Sequence, residues 1–87
     1  MTYTVVWLPD AMSAFRWLRA ADRDGAKQVS SAVAALATDP RPVGSTALGR
    51  SGFHRMRLGD YRVLYEVDDT ALTIYVINVG AVSGPSA

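Results

Sequence analysis

Apolar and polar residues alternate along the middle of the chain, from Phe53 to Val67. Alternation in two segments separated by the pair Gly59-Asp60 is typical of a β-hairpin with a two-residue turn. Glycine at the first turn position predicts a type II′ turn, whose twist matches that of the flanking strands. The loop length also fixes the register of the two strands. The predicted pairs are Leu58 with Tyr61, Arg57 with Arg62, Met56 with Val63, and Arg55 with Leu64.

This register sorts the hairpin into two faces, because side chains alternate across a strand. One face carries Arg55, Arg57 and Arg62. Like charges directly opposite each other are destabilising, so we expect the three guanidinium groups to form a site for phosphates or carboxylates, which arginine binds with paired donors. The alternative is that arginine is simply the surface cation of a chain with eight Arg and one Lys. The other face is apolar and consists of Met56, Leu58, Tyr61, Val63 and Tyr65.

The flanking segments predict two further strands. Thr2 to Leu8 is rich in β-branched and aromatic residues and predicts a first strand that ends at Pro9. Leu72 to Val79 predicts a last strand, and its two apolar faces place it inside the sheet or under cover on both sides. The segment from Arg41 to Ser45 is predicted to be a turn-rich connector.

Two stretches between the first strand and this connector follow the helical period. The first helix is predicted to begin at the N-cap Asp10 and to end near Ala20 or Ala21. The second is predicted to begin at Asp22 or Asp24 and to reach Thr38 before Asp39-Pro40 stops it. The residues on the apolar stripes are Ala11, Phe15 and Leu18 in the first helix, and Ala26, Val29, Val33 and Leu36 in the second.

The predicted order β-α-α-β-β-β defines an α+β fold. An antiparallel helical hairpin packs on one face of a mostly antiparallel four-stranded sheet, and the arginines point from the uncovered face. We expect residues 1–80 to form a single domain. Residues 81–87 are small and polar and are predicted to be a flexible tail that frays from Gly80 onward.

Amino-acid composition excludes several classes of functional site. The 87 residues carry a net charge of +1, which argues against coating nucleic acid by bulk charge but not against a local basic patch. The absence of Cys excludes disulfides and thiolate chemistry, and a single His makes a histidine-built metal centre improbable. The sequence shows neither a signal-peptide pattern nor a membrane-spanning segment, so the expected location is the cytoplasm.

Several segments together resemble the RelE/ParE superfamily, small toxins of bacterial type II toxin–antitoxin pairs. The resembling segments include the predicted first strand and the helical hairpin. The others are residues 39–42 (Asp-Pro-Arg-Pro), residues 55–69 and residues 77–80 (Ile-Asn-Val-Gly). The resemblance covers roughly residues 3–80. Its most specific part is the block 59–66, Gly-Asp-Tyr-Arg-Val-Leu-Tyr-Glu.

The resemblance implies a RelE-like endonuclease that enters the ribosome and cuts mRNA at the decoding site without a metal or other cofactor. In that reaction the ribose 2′-hydroxyl attacks the adjacent phosphate, so cations, a base and an acid are needed. By motif position, Arg62, Arg57 and Arg55 match the family's catalytic and RNA-binding basic residues. The implied partners are a cognate antitoxin, the ribosome and mRNA, with no membrane.

The end of the chain departs from the RNase members. There the last strand leads into a segment with a basic residue or His, a catalytic Arg and then a Tyr. Residues 81–87 contain no Arg, His or Tyr, so we expect weakened RNase activity. Two alternatives stay open: a ParE-like toxin that inhibits DNA gyrase and cuts no RNA, and an inactive remnant that still binds its antitoxin.

The other notable residues near the motif have structural interpretations. Alternation places His54, Tyr61 and Tyr65 on the helix-covered face, where packing is expected rather than action on RNA. Glu66 shares the arginine face, and its pairing with one of the arginines is the alternative to an open phosphate site.

Two features outside the hairpin strands are also interpreted. Asp68 and Asp69 are expected to be solvated turn residues. Trp17 lies off the apolar stripe of its helix, and core packing is expected for it. The alternative is an exposed aromatic residue that contacts the antitoxin together with Phe15 and Leu18.

Overall fold

The computed structural model describes residues 1–82, which form two helices on one face of a five-stranded sheet. The elements in chain order are β1 (Thr4–Trp7), α1 (Pro9–Ala21), α2 (Arg23–Ala35), β2 (Ser45–Ala47), β3 (Phe53–Leu58), β4 (Tyr61–Asp68) and β5 (Thr73–Ala81). The predicted α+β class and the order of its main elements are confirmed. No helix within residues 1–82 is long and apolar enough to cross a membrane.

The strands lie in the order β1-β5-β4-β3-β2. β1 pairs in parallel with β5, and the other pairs are antiparallel. β5 is therefore an interior strand, as its two apolar faces predicted. The expected count of four strands is wrong, because β2 adds a fifth at the edge. β2 consists of three residues, Ser, Thr and Ala, which are too few to predict a strand from sequence. They form one because their backbone pairs with the edge of β3.

The helix boundaries follow local chemistry, with two corrections. Leu8, not Asp10, is the N-cap of α1, and Pro9 occupies the first turn, where its missing N–H is not needed. Asp22 caps α2 as predicted, since its Oδ1 accepts a hydrogen bond from the Gly25 N–H at 2.9 Å. α2 ends at Ala35, three residues before the predicted end.

The hydrophobic core lies between the helices and the covered face of the sheet. Both predicted helical stripes face it, with only Phe15 partly exposed. The sheet contributes alternate residues of three strands: Met56, Val63, Tyr65, Val67, Ile74, Val76 and Val79. This burial is the main driving force for the fold.

The β3–β4 hairpin has the predicted register, including Arg57 opposite Arg62. Gly59 has φ of 58° and Asp60 does not have a positive φ, as a type II′ turn requires. A β-bulge interrupts the next pairing, because Leu64 pairs with Asn78 while Tyr65 pairs with Val76. The extra residue on β5 brings Val79 onto the covered face.

The last strand extends beyond its predicted end. Gly80 and Ala81 belong to β5, and the Val82 N–H donates to the Asp60 carbonyl oxygen at 2.8 Å. Fraying therefore does not begin at Gly80 as expected. The remainder of the predicted flexible tail, residues 83–87, lies outside the described residues.

Candidate functional site

The face of the sheet without helices, here called the open face, carries the three predicted arginines. Arg55, Arg57 and Arg62 are exposed on it, and we call them the arginine cluster. Arg57 lies directly opposite Arg62, and Arg55 lies two residues further along β3, opposite Leu64. The predicted placement on one face is confirmed, whereas the chemical role of these residues stays a prediction.

Two depressions on the open face share Arg55 and Arg62. One has a volume of about 340 Å³ and the other of about 260 Å³. An anion in either depression therefore meets at least two guanidinium groups. Arg57 and Thr46 also line the first depression, and Leu64 and Asn78 line the second.

No carboxylate neutralises the arginine cluster within residues 1–82, where the only salt bridge joins Arg41 to Asp69. Glu66 lies on the same face but forms no ion pair there, so the considered pairing of Glu66 with an arginine is wrong. Arg57 Nε makes one long hydrogen bond, 3.5 Å, to the Gly59 carbonyl oxygen. Uncompensated cations on one face create a positive potential that attracts phosphate groups.

A hydrogen bond between Tyr61 and Asp22 connects the hairpin turn to the start of α2. The Tyr61 hydroxyl donates to Asp22 Oδ2 at 2.7 Å. This bond, together with the Gly25 N–H, lowers the pKa of the Asp22 carboxyl, and Asp22 in turn raises the pKa of the Tyr61 hydroxyl. A Cβ on Gly25 would lie 2.5 Å from Asp22 Oδ2 and 2.6 Å from Tyr61 Cε2. The close contact fixes the start of β4, and hence the adjacent Arg62.

His54 belongs to the covered face and not to the arginine cluster. It is buried, its Nδ1 lies 2.8 Å from the Gly52 carbonyl oxygen, and its ring stacks on Tyr65 with 5.4 Å between centroids. The Tyr65 hydroxyl donates to the Pro40 carbonyl oxygen at 2.9 Å. The predicted packing of His54, Tyr61 and Tyr65 on the covered face is confirmed. No three His, Asp or Glu side chains within residues 1–82 form a metal-sized group.

Asp69 is exposed in the turn, as the sequence predicted, and it also forms an ion pair that the sequence did not predict. The Arg41 guanidinium donates to both its carboxylate oxygens, at 2.8 and 3.3 Å, and the Tyr3 hydroxyl donates at 2.6 Å. Arg41 first, and then Tyr3, lower the pKa of the Asp69 carboxyl. Asp68 also has the predicted turn role, because its Oδ1 accepts from the Ala71 N–H at 3.0 Å. The Arg41–Asp69 network lies at the opposite end of β4 from the arginine cluster.

Trp17 is 79% exposed, so the expectation that it packs in the core is wrong. Phe15 is half-buried against Trp7, with 5.0 Å between ring centroids, and Leu18 is buried. Trp17 lines a mostly apolar groove of about 250 Å³ together with Leu18 and Val79. An exposed tryptophan beside an apolar groove is typical of a protein-binding surface.

A wider groove, of about 600 Å³, runs between the two helices and was not singled out from the sequence. Arg19, Arg23 and Lys27 line it, with Phe15 and Asp24 beside them. Only Arg23 and Lys27 share a helix and its four-residue spacing; Arg19 joins them because α1 packs beside α2, which no local pattern predicts. This second basic surface lies on the helical side of the molecule, away from the arginine cluster.

Comparison with protein-family models matches residues 5–83 to the family described as ParE toxin of type II toxin–antitoxin system, parDE. A comparison with curated proteins finds no match. Among solved structures, the RelBE2 toxin–antitoxin complex of Mycobacterium tuberculosis is similar at 29% identity, with 93% of this chain and 99% of that chain covered and a TM-score of 0.74.

Two further solved structures have the same fold. The RelE–RelB complex of the archaeon Pyrococcus horikoshii OT3 is 25% identical, covers 93% of this chain and 96% of that chain, and has a TM-score of 0.81. A double arginine-to-alanine mutant of Escherichia coli RelE in the free state is 22% identical, with coverages of 99% and 90% and a TM-score of 0.80. The family match spans nearly the whole chain. The chain is therefore a toxin of a type II toxin–antitoxin system and belongs to the RelE/ParE superfamily.

Proposed function

We propose that this toxin is RelE-like and acts on mRNA in the decoding site of the ribosome, which lies in the cytoplasm. The observation that carries the proposal is the arginine cluster, three exposed guanidinium groups on one open face with no carboxylate partner within residues 1–82. Such a face suits a phosphate backbone, because guanidinium groups bind phosphate oxygens in pairs.

The proposed reaction is attack by the ribose 2′-oxygen on the adjacent phosphorus. A P–O bond to the 2′-oxygen forms, the bond to the 5′-oxygen breaks, and one proton leaves the 2′-hydroxyl while another reaches the leaving oxygen. Arg57 and Arg62, directly opposite each other, stabilise the negative charge that develops on the phosphate oxygens. Arg55 holds the neighbouring part of the backbone. No metal or other cofactor is required in this scheme.

The proposed cleavage is slow. The basic and aromatic residues that follow the last strand in RelE-like RNases have no counterpart in residues 81–87. Two lost contacts to the transition state, at about 2–4 kcal/mol each, lower a rate by roughly three to six orders of magnitude. Occupation of the decoding site then contributes to the arrest of translation alongside cleavage.

The test is to incubate the purified protein with mRNA-programmed ribosomes and to map the new message ends. We expect cleavage in the decoding site that Arg62→Ala reduces by about 100-fold or more. Arg16→Ala is the matched control, because Arg16 is an exposed arginine of α1. Equal cleavage by the Arg62→Ala and wild-type proteins would refute a catalytic role for the cluster.

We also propose a cognate antitoxin as partner, since the similar RelBE2 and RelE–RelB structures are toxin–antitoxin complexes. The groove beside Trp17 is the proposed contact, because Trp17 is the exposed aromatic residue of α1. Trp17→Ala should weaken capture of the antitoxin in co-purification while leaving thermal stability nearly unchanged. Full retention of the antitoxin would place the contact elsewhere.

The second proposed function is inhibition of DNA gyrase. Two observations favour it: the matched family is described as ParE toxins, and residues 81–87 lack the RNase residues. A supercoiling assay with purified gyrase separates the two functions. Inhibited supercoiling with intact mRNA supports the gyrase proposal. No effect in either assay, together with capture of the antitoxin, supports a remnant that only binds its antitoxin.

A further inference from the structure

The open face changes character beyond the arginine cluster. Glu66 lies opposite Phe53 on β3 and opposite Tyr75 on β5, so the three side chains form a row across the sheet. We call them the aromatic row. All three are half-buried. Glu66 is four residues along β4 from Arg62, which corresponds to about 13 Å at the usual strand rise.

The side-chain polar atoms of the aromatic row have no protein partner within residues 1–82. The hydroxyls of Tyr3, Tyr61 and Tyr65 each donate a hydrogen bond, to Asp69, Asp22 and Pro40 respectively. The Tyr75 hydroxyl and the Glu66 carboxylate make no such bond, and Glu66 forms no salt bridge. Within the described part of the chain, the Glu66 carboxylate is therefore available to accept hydrogen bonds from a ligand.

The geometry of the row suits a planar group with hydrogen-bond donors on its edge. Adjacent strands are about 4.8 Å apart, so a ring stacked on Tyr75 presents its edge to Glu66 on the next strand. RNA-binding sheets use aromatic side chains in this way to hold unpaired bases. A carboxylate has two oxygens that accept two parallel N–H bonds. Among the four RNA bases, guanine presents two adjacent donors, N1–H and N2–H, on its Watson–Crick edge.

We propose that the aromatic row is a guanine-binding subsite for the mRNA whose backbone the arginine cluster holds. Tyr75 and Phe53 provide the stacking surface, and Glu66 selects guanine by accepting its two N–H donors. Uracil, cytosine and adenine each place an acceptor beside the donor, which leaves a carboxylate oxygen facing a lone pair. The inference deepens the proposed RNA-directed function and rests on it.

The experiment measures binding rather than cleavage. Fluorescently labelled full-length protein is titrated onto ribosomes programmed with mRNAs that differ in one nucleotide of the decoding-site codon: guanosine, inosine or uridine, at each codon position in turn. Inosine keeps N1–H but lacks the N2 amino group. We expect one position at which guanosine is preferred over inosine and uridine by roughly 5- to 100-fold.

Three variants assign that preference to residues. Glu66→Gln should abolish the discrimination between guanosine and inosine, because an amide offers one acceptor oxygen in place of two. Tyr75→Ala should weaken binding of the guanosine message by roughly 5- to 100-fold. Tyr75→Phe keeps the ring and should bind like the wild type, which separates stacking from a folding defect. Arg62→Ala should weaken binding of all three messages alike.

The outcomes for the two proposals are distinguishable. Binding that depends on Arg62 but is equal for guanosine and inosine at every position overturns the subsite and leaves the RNA-directed function standing. A guanosine preference that survives Glu66→Gln overturns the assignment to Glu66. No binding of the wild-type protein to any programmed ribosome overturns both proposals.

Discussion

The same strands form both faces of the sheet, but the polar side chains on the two faces differ in whether they have hydrogen-bond or ion-pair partners within the protein. On the covered face, Tyr65 and His54 are buried with hydrogen-bond partners, and no buried side-chain N or O atom within residues 1–82 is left without one. On the open face, Arg55, Arg62 and Glu66 have no ion-pair partner in the same part of the chain. The polar side chains of the covered face thus have partners within the protein, whereas these charged side chains of the open face are available to a ligand.

This difference separates stability from binding within a single hairpin. Alternation along β3 and β4 sends one residue to the core and the next to the open face. A substitution on one face should therefore change the free energy of unfolding, whereas its neighbour should change binding. Four predictions test this separation, from the largest expected effect on stability to the smallest.

Ile74→Ala should destabilise the protein by about 2–5 kcal/mol, because Ile74 is completely buried on the covered face and truncation leaves a cavity. Leu64→Ala is the matched control, since Leu64 is half-buried on the open face. Urea denaturation measures both. Equal losses of stability would show that the open face also carries part of the core.

Gly25→Ala should cost about 1–3 kcal/mol, since the new Cβ displaces either Asp22 or Tyr61 and disrupts their hydrogen bond. Gly80→Ala is the control, because a Cβ there meets nothing within 4 Å. Thermal unfolding of the two variants gives the comparison. An unchanged midpoint for Gly25→Ala would mean that the contact between α2 and β4 is loose.

Arg57→Gln should raise stability slightly, by about 0.2–1 kcal/mol, because it removes the repulsion with Arg62 directly opposite. The same variant should lose binding to programmed ribosomes. Urea denaturation and ribosome titration on one preparation measure both effects. A decrease in both stability and binding would indicate that the arginine cluster supports the fold.

The smallest expected effect is a loss of stability in acid. The pKa values of Asp22 and Asp69 are lowered in the folded protein, so the unfolded chain binds more protons once the pH falls below about 4. Their contribution is present above the unfolded pKa and is lost as the pH falls through the lowered folded values. Urea midpoints from pH 7 to pH 3 should decline less for Asp69→Asn than for the wild type. Equal declines for the two proteins would show that Asp69 does not contribute to the loss of stability in acid.

The hairpin, its register and the sorting of its two faces could be predicted from the amino-acid pattern alone. Those features depend on local rules: a two-residue turn at Gly59 and a side-chain period of two. The same rules placed Arg55, Arg57 and Arg62 together. The apolar stripes of the helices are also local features, because they follow from the helical period. The Asp22 cap is local as well, since it depends on a hydrogen bond from the Gly25 N–H, three positions away.

The remaining features could not be predicted locally, because each depends on how separate elements pack together. Arg41 and Asp69 are 28 residues apart, and Tyr61 and Asp22 are 39 residues apart. No local sequence pattern therefore predicts the salt bridge of the first pair or the hydrogen bond of the second. β2 is a strand because β3 lies beside it. Trp17 is exposed because α1 packs on the sheet through its other side.

The aromatic row shows the same division. Its Phe53–Glu66 pair follows from the hairpin register that the sequence determined. Tyr75 joins them only through the pairing of β4 with β5, where a bulge between Leu64 and Tyr65 shifts the register. Alternation predicts which face of a strand a side chain occupies, but strand order and bulges decide which neighbour it meets there. Local pattern was therefore enough to predict the arginine cluster, whereas its neighbours on the open face depend on how the strands pair.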